Sequence, residues 1–120
     1  METSARLTAR PWLKHYEACV PPDIEAPEST LQDLLPQAAE KYPERPALVM
    51  AMPAAGRLFT YPVSYRRLRR DVDRFAASLQ GLGVQPGDRV ALYLPNCPQF
   101  VIAYLAAVRA GAIVVPFNPL

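Results

Sequence analysis

The segment "RVALYLPNCPQFVIAYLAAVRAGAIVVPF" (Arg89 to Phe117) decides the fold that the sequence predicts. Two apolar runs, 89–94 and 112–116, have the length and composition of strands, and the residues between them, 97–110, are apolar almost all round. A connection that contains a whole helix can join parallel strands, and such crossovers are nearly always right-handed. The segment therefore predicts a right-handed strand–helix–strand unit in an α/β fold.

This predicted helix carries start and stop signals. Asn96 can cap it with Gln99 three residues later, and Pro98 lies in the first turn, where its missing N–H does little harm. Gly111 ends it. Because the last strand has only one predicted partner upstream, we interpret the pair as the incomplete N-terminal part of a doubly wound sheet.

Upstream of this unit, the sequence predicts a helix, a β-hairpin and a second helix. Ser29 and Gln32 can form a capping box for the first helix, which Pro36 should kink or delay. "PALVMAM" and "GRLFTY" predict an antiparallel hairpin across "PAAG". Ser64 can cap the second helix, which runs to about Gln80.

The chain thus divides into an irregular, proline-rich arm over residues 1–28 and one folded unit over 29–120. Its net charge of +2 is too small to argue for nucleic acid or an anionic membrane. Two cysteines, Cys19 and Cys97, make no disulfide framework, which favours a reduced compartment. Neither a signal peptide nor a transmembrane segment is apparent, so we expect a cytoplasmic chain.

Few residues are candidates for chemistry. No glycine-rich phosphate motif is present, and His15 is best interpreted as a surface or partly packed side chain. Cys97 begins a helix, where a thiol pKa can fall, but a small buried apolar role is the simpler interpretation. Asn96 and Asn118 follow the two parallel strands, where ligands bind in open α/β sheets. The alternative roles are a helix cap for Asn96 and a turn for Asn118.

The helix after Ser64 carries a cluster of arginines that can be interpreted in two ways. Nucleic-acid binding is one, but the rest of the chain adds no basic patch. Ion pairing is the other, because Arg67 and Asp71, and also Arg69 and Asp73, are four residues apart. We therefore expect a solvated, ion-paired face. The residues expected to be exposed are Arg66, Arg67, Arg70 and Arg74, and those expected to be buried are Leu68, Val72 and Phe75.

The segment "GVQPGDRVALYLPNCPQFVIAYLAAVRAGAIVVPFNPL" (83–120) strongly resembles the N-terminal region of the adenylate-forming acyl-CoA synthetases. "AEKYPERPALVM", "FTY" and "RFAASLQGLGV" fit the opening of that family in the same order. "RPWLKHYEACVP" resembles the N-terminal arm of its medium- and long-chain fatty acid members. Residues 29–120 would then be the truncated start of that family's N-terminal domain.

The resemblance implies a ligase reaction in two steps. A fatty acid carboxylate attacks the α-phosphate of ATP, with magnesium, and the thiol of coenzyme A then converts the acyl-adenylate to a thioester. In the family, the phosphate loop and the catalytic lysine follow the region resembled here. The resemblance therefore assigns no catalytic, cofactor-binding or metal-binding residue to this chain, and it implies ATP, magnesium and coenzyme A only for the complete enzyme.

Two alternatives of other classes stay open. A stand-alone interaction module would pair an open sheet edge with a partner, and a truncated gene product would have no function. On the ligase interpretation, we expect the chain to be inactive alone and to need a complementing synthetase chain. We also expect it to be prone to association, because large exposed apolar patches promote it.

Overall fold

The computed structural model describes residues 10–24 and 28–119. A short 3₁₀ helix, Pro11–His15, precedes a mixed α/β unit. The elements of that unit, in chain order, are α1 (Leu31–Lys41), β1 (Pro46–Ala54), β2 (Arg57–Ser64), α2 (Tyr65–Gly81), β3 (Arg89–Tyr93), α3 (Pro98–Arg109) and β4 (Ile113–Phe117).

The predicted strand–helix–strand unit is present. Strands β3 and β4 pair in parallel, with Arg89 opposite Ile113 and Tyr93 opposite Phe117, and α3 connects them. This confirms the predicted parallel pair, while the right-handed sense of the crossover stays a prediction. Gly111 ends the helix in a left-handed conformation, with φ of 78°.

The N-cap of α3 is Cys97, so the prediction of Asn96 was wrong. Cys97 is extended, with φ of −144° and ψ of 165°, and the helix begins at Pro98. The ring of a proline disfavours the helical conformation in the residue before it. Pro98 therefore occupies the first helical position and places the cap at Cys97.

The cap of α1 also lies one residue later than predicted, at Thr30 rather than Ser29. The backbone N–H and the hydroxyl of Thr30 both donate to the same carboxylate oxygen of Asp33, each over 2.8 Å. A carboxylate three residues after the cap can accept in this way, whereas a cap at Ser29 would use Gln32. The helix then continues through Pro36.

The hairpin is confirmed, and both of its strands are longer than predicted. Strands β1 and β2 are antiparallel and meet at a two-residue turn of Ala55 and Gly56. Both turn residues have positive φ, at 49° and 71°, which matches the twist that a tight hairpin requires.

Helices α2 and α3 pack against each other over the core. The buried residues of this core are Val63, Leu68, Val72, Ala76, Leu79, Ala106 and Ala107. Ser64 caps α2 as predicted, because its hydroxyl oxygen accepts a hydrogen bond from the Arg67 N–H over 3.3 Å. The prediction that Phe75 is buried was wrong, since 39% of it is exposed. This core cluster joins Ala106 and Ala107 of α3 to Val72 and Ala76 of α2, and Phe75 is not one of its members.

One face of the β3–β4 pair exposes large apolar side chains. By strand alternation and register, Tyr93, Ile113 and Phe117 share a face, and their exposed fractions are 68%, 49% and 52%. Each sheet in the described residues contains two strands. None of the helices in the described ranges has both the length and the apolarity that crossing a membrane requires.

Candidate functional site

The carboxyl ends of β3 and β4 lie side by side, because Tyr93 and Phe117 are paired. Asn96 follows three residues after Tyr93, and Asn118 directly follows Phe117. Both asparagines are exposed. The structure therefore brings the two predicted residues to one edge of the sheet, which is the ligand-binding edge of open α/β sheets.

An apolar cleft adjoins this edge, and Asn96 lines it but Asn118 does not. The cleft has a volume of about 360 Å³, which is at the lower end of the range for small-ligand pockets. One wall is β1 and the other is the start of α3. Its lining residues are Leu48, Val49, Met50, Asn96, Cys97, Pro98, Phe100 and Val101.

The lining of this cleft offers an apolar surface, one amide and one thiol. Cys97 is half-buried there and has no disulfide partner, so the expectation of a small buried residue was only partly met. The ring of Phe100 lies 6.2 Å from that of Tyr104, at an interplanar angle of 39°. The cleft can therefore hold an apolar group beside the Asn96 amide.

A second cleft, of about 420 Å³, lies along α2 and α3. Phe75, Leu94 and Ile102 supply its apolar walls, and Asp71 and Arg74 also line it. The exposure of Phe75 thus belongs to a surface depression between the two helices.

His15 lies in the short 3₁₀ helix and is exposed, as predicted. Across residues 10–24 and 28–119, no group of three or more histidine, cysteine, aspartate or glutamate side chains is placed to hold a metal ion. The shifted pKa values lie away from both clefts. Hydrogen bonds from the Thr30 backbone and hydroxyl lower the pKa of Asp33, and a hydrogen bond and ion pair with Asp23 raise the pKa of Arg10.

The arginines of α2 are placed largely as predicted. Arg66, Arg67, Arg70 and Arg74 are exposed, and Arg67 pairs with Asp71 over 3.6 Å. The guanidinium of Arg67 also lies over the ring of Tyr61, 5.3 Å from its centre.

The predicted pair between Arg69 and Asp73 does not form. Arg69 instead contacts Glu40 of α1 over 3.6 Å, and Asp73 contacts Arg109 of α3 over 2.9 Å. Packing of the three helices supplies these partners, so spacing along α2 alone could not identify them.

Sequence reasoning missed the walls of the clefts. Leu48 and Met50 looked like strand residues, and nothing local indicated that they face the start of α3. The Thr30–Asp33 cap, by contrast, had a usable signal, because a threonine followed three residues later by an acidic residue before an apolar run is a helix-start pattern.

Comparison with known proteins identifies relatives of this chain. The sequence profile of one family, AMP-binding enzyme, matches residues 35–120. A long-chain-fatty-acid–CoA ligase of Bacillus subtilis (strain 168) is 38% identical over 111 residues, which cover 92% of this chain and 18% of that ligase. A salicyl-AMP ligase/salicyl-S-ArCP synthetase of Mycobacterium tuberculosis (strain ATCC 25618 / H37Rv) is 48% identical over 92 residues, which cover 75% of this chain and 15% of that protein.

The fold has solved counterparts as well. The N-terminal subdomain of NpsA from Klebsiella oxytoca superposes with a TM-score of 0.65 at 28% identity, covering 74% of this chain and 21% of that one. The chain spans less than a fifth of the length of the two curated relatives described above, at 18% and 15%.

Proposed function

The chain belongs to the AMP-binding enzyme family, and from this membership we propose that it forms the N-terminal part of an ATP-dependent fatty acid–CoA ligase. The observation that carries the proposal is the extent of the match to the long-chain ligase. That match covers 92% of the chain, so it leaves only about ten of the 120 residues outside. It must therefore reach into residues 1–28, where the sequence resembles fatty acid members of the family.

The proposal divides the chain into an arm over residues 1–28 and the start of the ligase's N-terminal domain over 29–120. A fatty acid is the proposed substrate, ATP, magnesium and coenzyme A are the proposed cofactors of the complete enzyme, and the cytoplasm is the proposed location. A complementing synthetase chain is the proposed partner.

The cleft beside Asn96 does not fit a triphosphate. Polyphosphates are held by cations, backbone N–H groups and metal ions, whereas this lining offers mainly apolar side chains. We therefore assign no step of the reaction to residues of this chain. Its role in the proposal is to supply the strands β3 and β4 to the sheet of the ligase, together with their connecting helix α3. We also propose that the chain is inactive alone.

Pyrophosphate exchange into ATP tests this proposal. The purified chain is assayed with magnesium and a long-chain fatty acid, alone and after replacing the matching segment of the Bacillus subtilis ligase in a chimera. We expect exchange from the chimera and none from the chain above an enzyme-free blank. Exchange by the chain alone would contradict its inactivity. A folded chimera that activates salicylate but no fatty acid would contradict the substrate class.

Matched variants of the chimera separate folding from function. Leu92 is only 6% exposed on β3, so Leu92→Asp should abolish exchange by burying a carboxylate. Arg57 is exposed at the start of β2, so Arg57→Gln should leave exchange unchanged. Equal activity of the two variants would show that this segment does not support the ligase fold.

A stand-alone interaction module is the second candidate, because each sheet in the described residues has only two strands and so has open edges. Sedimentation of the purified chain distinguishes the two. A stable monomer at micromolar concentration favours the module, whereas association through the exposed β3–β4 face favours a part of a larger domain. The DNA sequence after codon 120 separates both from a truncated gene product.

A further inference from the structure

A groove with a strongly basic wall lies between the end of α1 and the exposed side of α2. We name it the arginine groove. It has a volume of about 540 Å³, and its α1 side includes Glu40 and Pro43. Its α2 side consists mainly of arginine side chains, namely Arg66, Arg69, Arg70 and Arg74.

Positive charge is concentrated on this helix. Within Tyr65–Gly81 there are five arginines and two aspartates, so α2 alone is more positive than the whole chain, whose net charge is +2. The fifth arginine, Arg67, contacts Tyr61 and Asp71 and does not line the groove. The remaining four arginines give the groove its positive charge.

Two of the four groove arginines already bind carboxylates of α1 and the residues that follow it. Arg66 contacts Glu44 over 2.6 Å, and Arg69 contacts Glu40 over 3.6 Å. The carboxylate side chains are 71% and 75% exposed. Because exposed ion pairs contribute little to stability, an incoming carboxylate can replace either of them at small cost.

The other two groove arginines form no ion pair with α1. Among the carboxylates of the described residues, Arg70 pairs with that of its neighbour in sequence, Asp71. Its Nε and one terminal nitrogen donate to the same carboxylate oxygen over 3.2 and 3.1 Å, and its side chain is 58% exposed. Arg74 is exposed, and no carboxylate of residues 10–24 or 28–119 lies within ion-pairing distance of it. A ligand with its own negative charges would therefore gain new partners here.

The spacing of the exposed arginines defines the ligand further. Arg66, Arg70 and Arg74 recur every four residues and so form one stripe along α2. Successive positions are about 6 Å apart along the helix axis. A second helix lying in the groove with a carboxylate on every turn would present charges at the same interval.

We propose that the arginine groove binds an acidic helix of a partner protein, with glutamate or aspartate side chains at intervals of four residues. The guanidinium fork matches a carboxylate through two parallel hydrogen bonds, and Glu40 and Glu44 show that the groove arginines accept such partners. Pro43 and Ala39 offer apolar contact to the helix body. Nucleic acid fits less well, because a phosphate backbone needs a basic surface that extends beyond one helix, whereas all the arginines of this groove lie on α2.

The test uses the full chain and a fluorescent, alanine-rich helical peptide of about 16 residues, long enough to form a helix, with glutamate at every fourth position. Fluorescence anisotropy should show saturable binding that weakens as salt rises. A peptide of the same composition with adjacent glutamates should bind less tightly. Duplex DNA of the same total charge is the competing ligand.

Matched double variants locate the site. Arg70→Gln with Arg74→Gln should weaken peptide binding by about 10-fold, while Arg57→Gln with Arg89→Gln, which changes exposed arginines outside the groove, should weaken it by less than about 2-fold. Circular dichroism confirms that both doubles stay folded. If the chain associates, the same variants in the chimeric ligase provide the comparison.

Four results would overturn the proposal, and three of them are comparisons. They are equal losses in the two double variants, equal binding of the two peptides, and tighter binding of DNA than of either peptide. Absence of saturable peptide binding would overturn it as well. Because none of these readouts uses catalysis, the outcome is independent of whether the chain belongs to a fatty acid ligase.

Discussion

Gly111 connects α3 to β4, and replacing it by alanine should destabilise the chain through two separable effects. Its φ of +78° lies in the left-handed region, which costs an L-residue roughly 1–2 kcal/mol. A Cβ added there would lie 3.1 Å from the Cβ of Pro86 and 3.4 Å from its Cα and Cγ. The N–H of Gly87 donates to the Gly111 carbonyl over 2.9 Å. This hydrogen bond holds the segment of Pro86 and Gly87 against Gly111, so Pro86 cannot easily move away from an added Cβ.

Two other glycines provide matched controls. Gly83 has φ of +93° but nothing within 4 Å of an added Cβ, so Gly83→Ala isolates the backbone cost. Gly81 lies in α2 without a positive φ and with open space around it. Gly81→Ala should therefore be neutral or stabilising by about 0.5–1 kcal/mol.

The three variants should thus form a series in the free energy of unfolding. We expect Gly83→Ala to cost about 1 kcal/mol, once the smaller entropy of the unfolded alanine chain is subtracted. Gly111→Ala should cost about 2 kcal/mol, because the close contact with Pro86 adds a packing penalty of roughly 1 kcal/mol. Urea unfolding followed by circular dichroism measures all three, with equal slopes indicating an unchanged unfolding reaction.

The order of the series decides whether this reasoning holds. A Gly111→Ala variant no less stable than Gly83→Ala would show that the contact with Pro86 has no energetic consequence. A Gly81→Ala variant as destabilised as the other two would refute the assignment of the cost to the left-handed backbone.

The remaining predictions concern a helix cap, the core and the arginine helix. Asp33→Asn should lower the unfolding midpoint at pH 7. Hydrogen bonds lower the pKa of Asp33 in the folded chain. The difference in unfolding midpoint between the variant and the parent chain should therefore be complete above the unfolded pKa of about 3.9, and it should vanish as the pH falls through the folded pKa. A difference in midpoint that persists at lower pH would contradict this. Ala106 is fully buried in the core that α2 and α3 share, so it should not accept a larger side chain. Ala106→Leu should lower the free energy of unfolding in urea by about 1–3 kcal/mol. A neutral result would indicate looser packing. Duplex DNA should show no tight binding at about 150 mM salt, where charges are screened beyond about 8 Å, and specific nanomolar binding would refute the ion-paired interpretation of α2.

Local signals in the sequence were sufficient to predict most of the elements. The parallel pair, the hairpin and the Ser64 cap depend on apolar periodicity, turn residues and neighbouring side chains, all of which are visible in the sequence. The errors at Asn96 and Ser29 were each one residue long, because adjacent polar residues compete for one cap. Pro98 and Asp33 decided those positions. Family membership also followed from the sequence, since each segment that carries the resemblance is a short contiguous stretch and the segments keep the family's order.

Contacts between elements could not be predicted in this way. The partners of Arg69 and Asp73 come from α1 and α3, and the cleft in which Phe75 is exposed is formed by α2 and α3 together. The cleft beside Asn96 and the arginine groove each need two elements that are distant in sequence. By itself, the sequence determined which segments form helices and strands, because those choices depend on residues within a few positions. Only the tertiary structure decided which side chains meet across the helices, because burial and ion pairing depend on the distance in space between segments that the chain brings together.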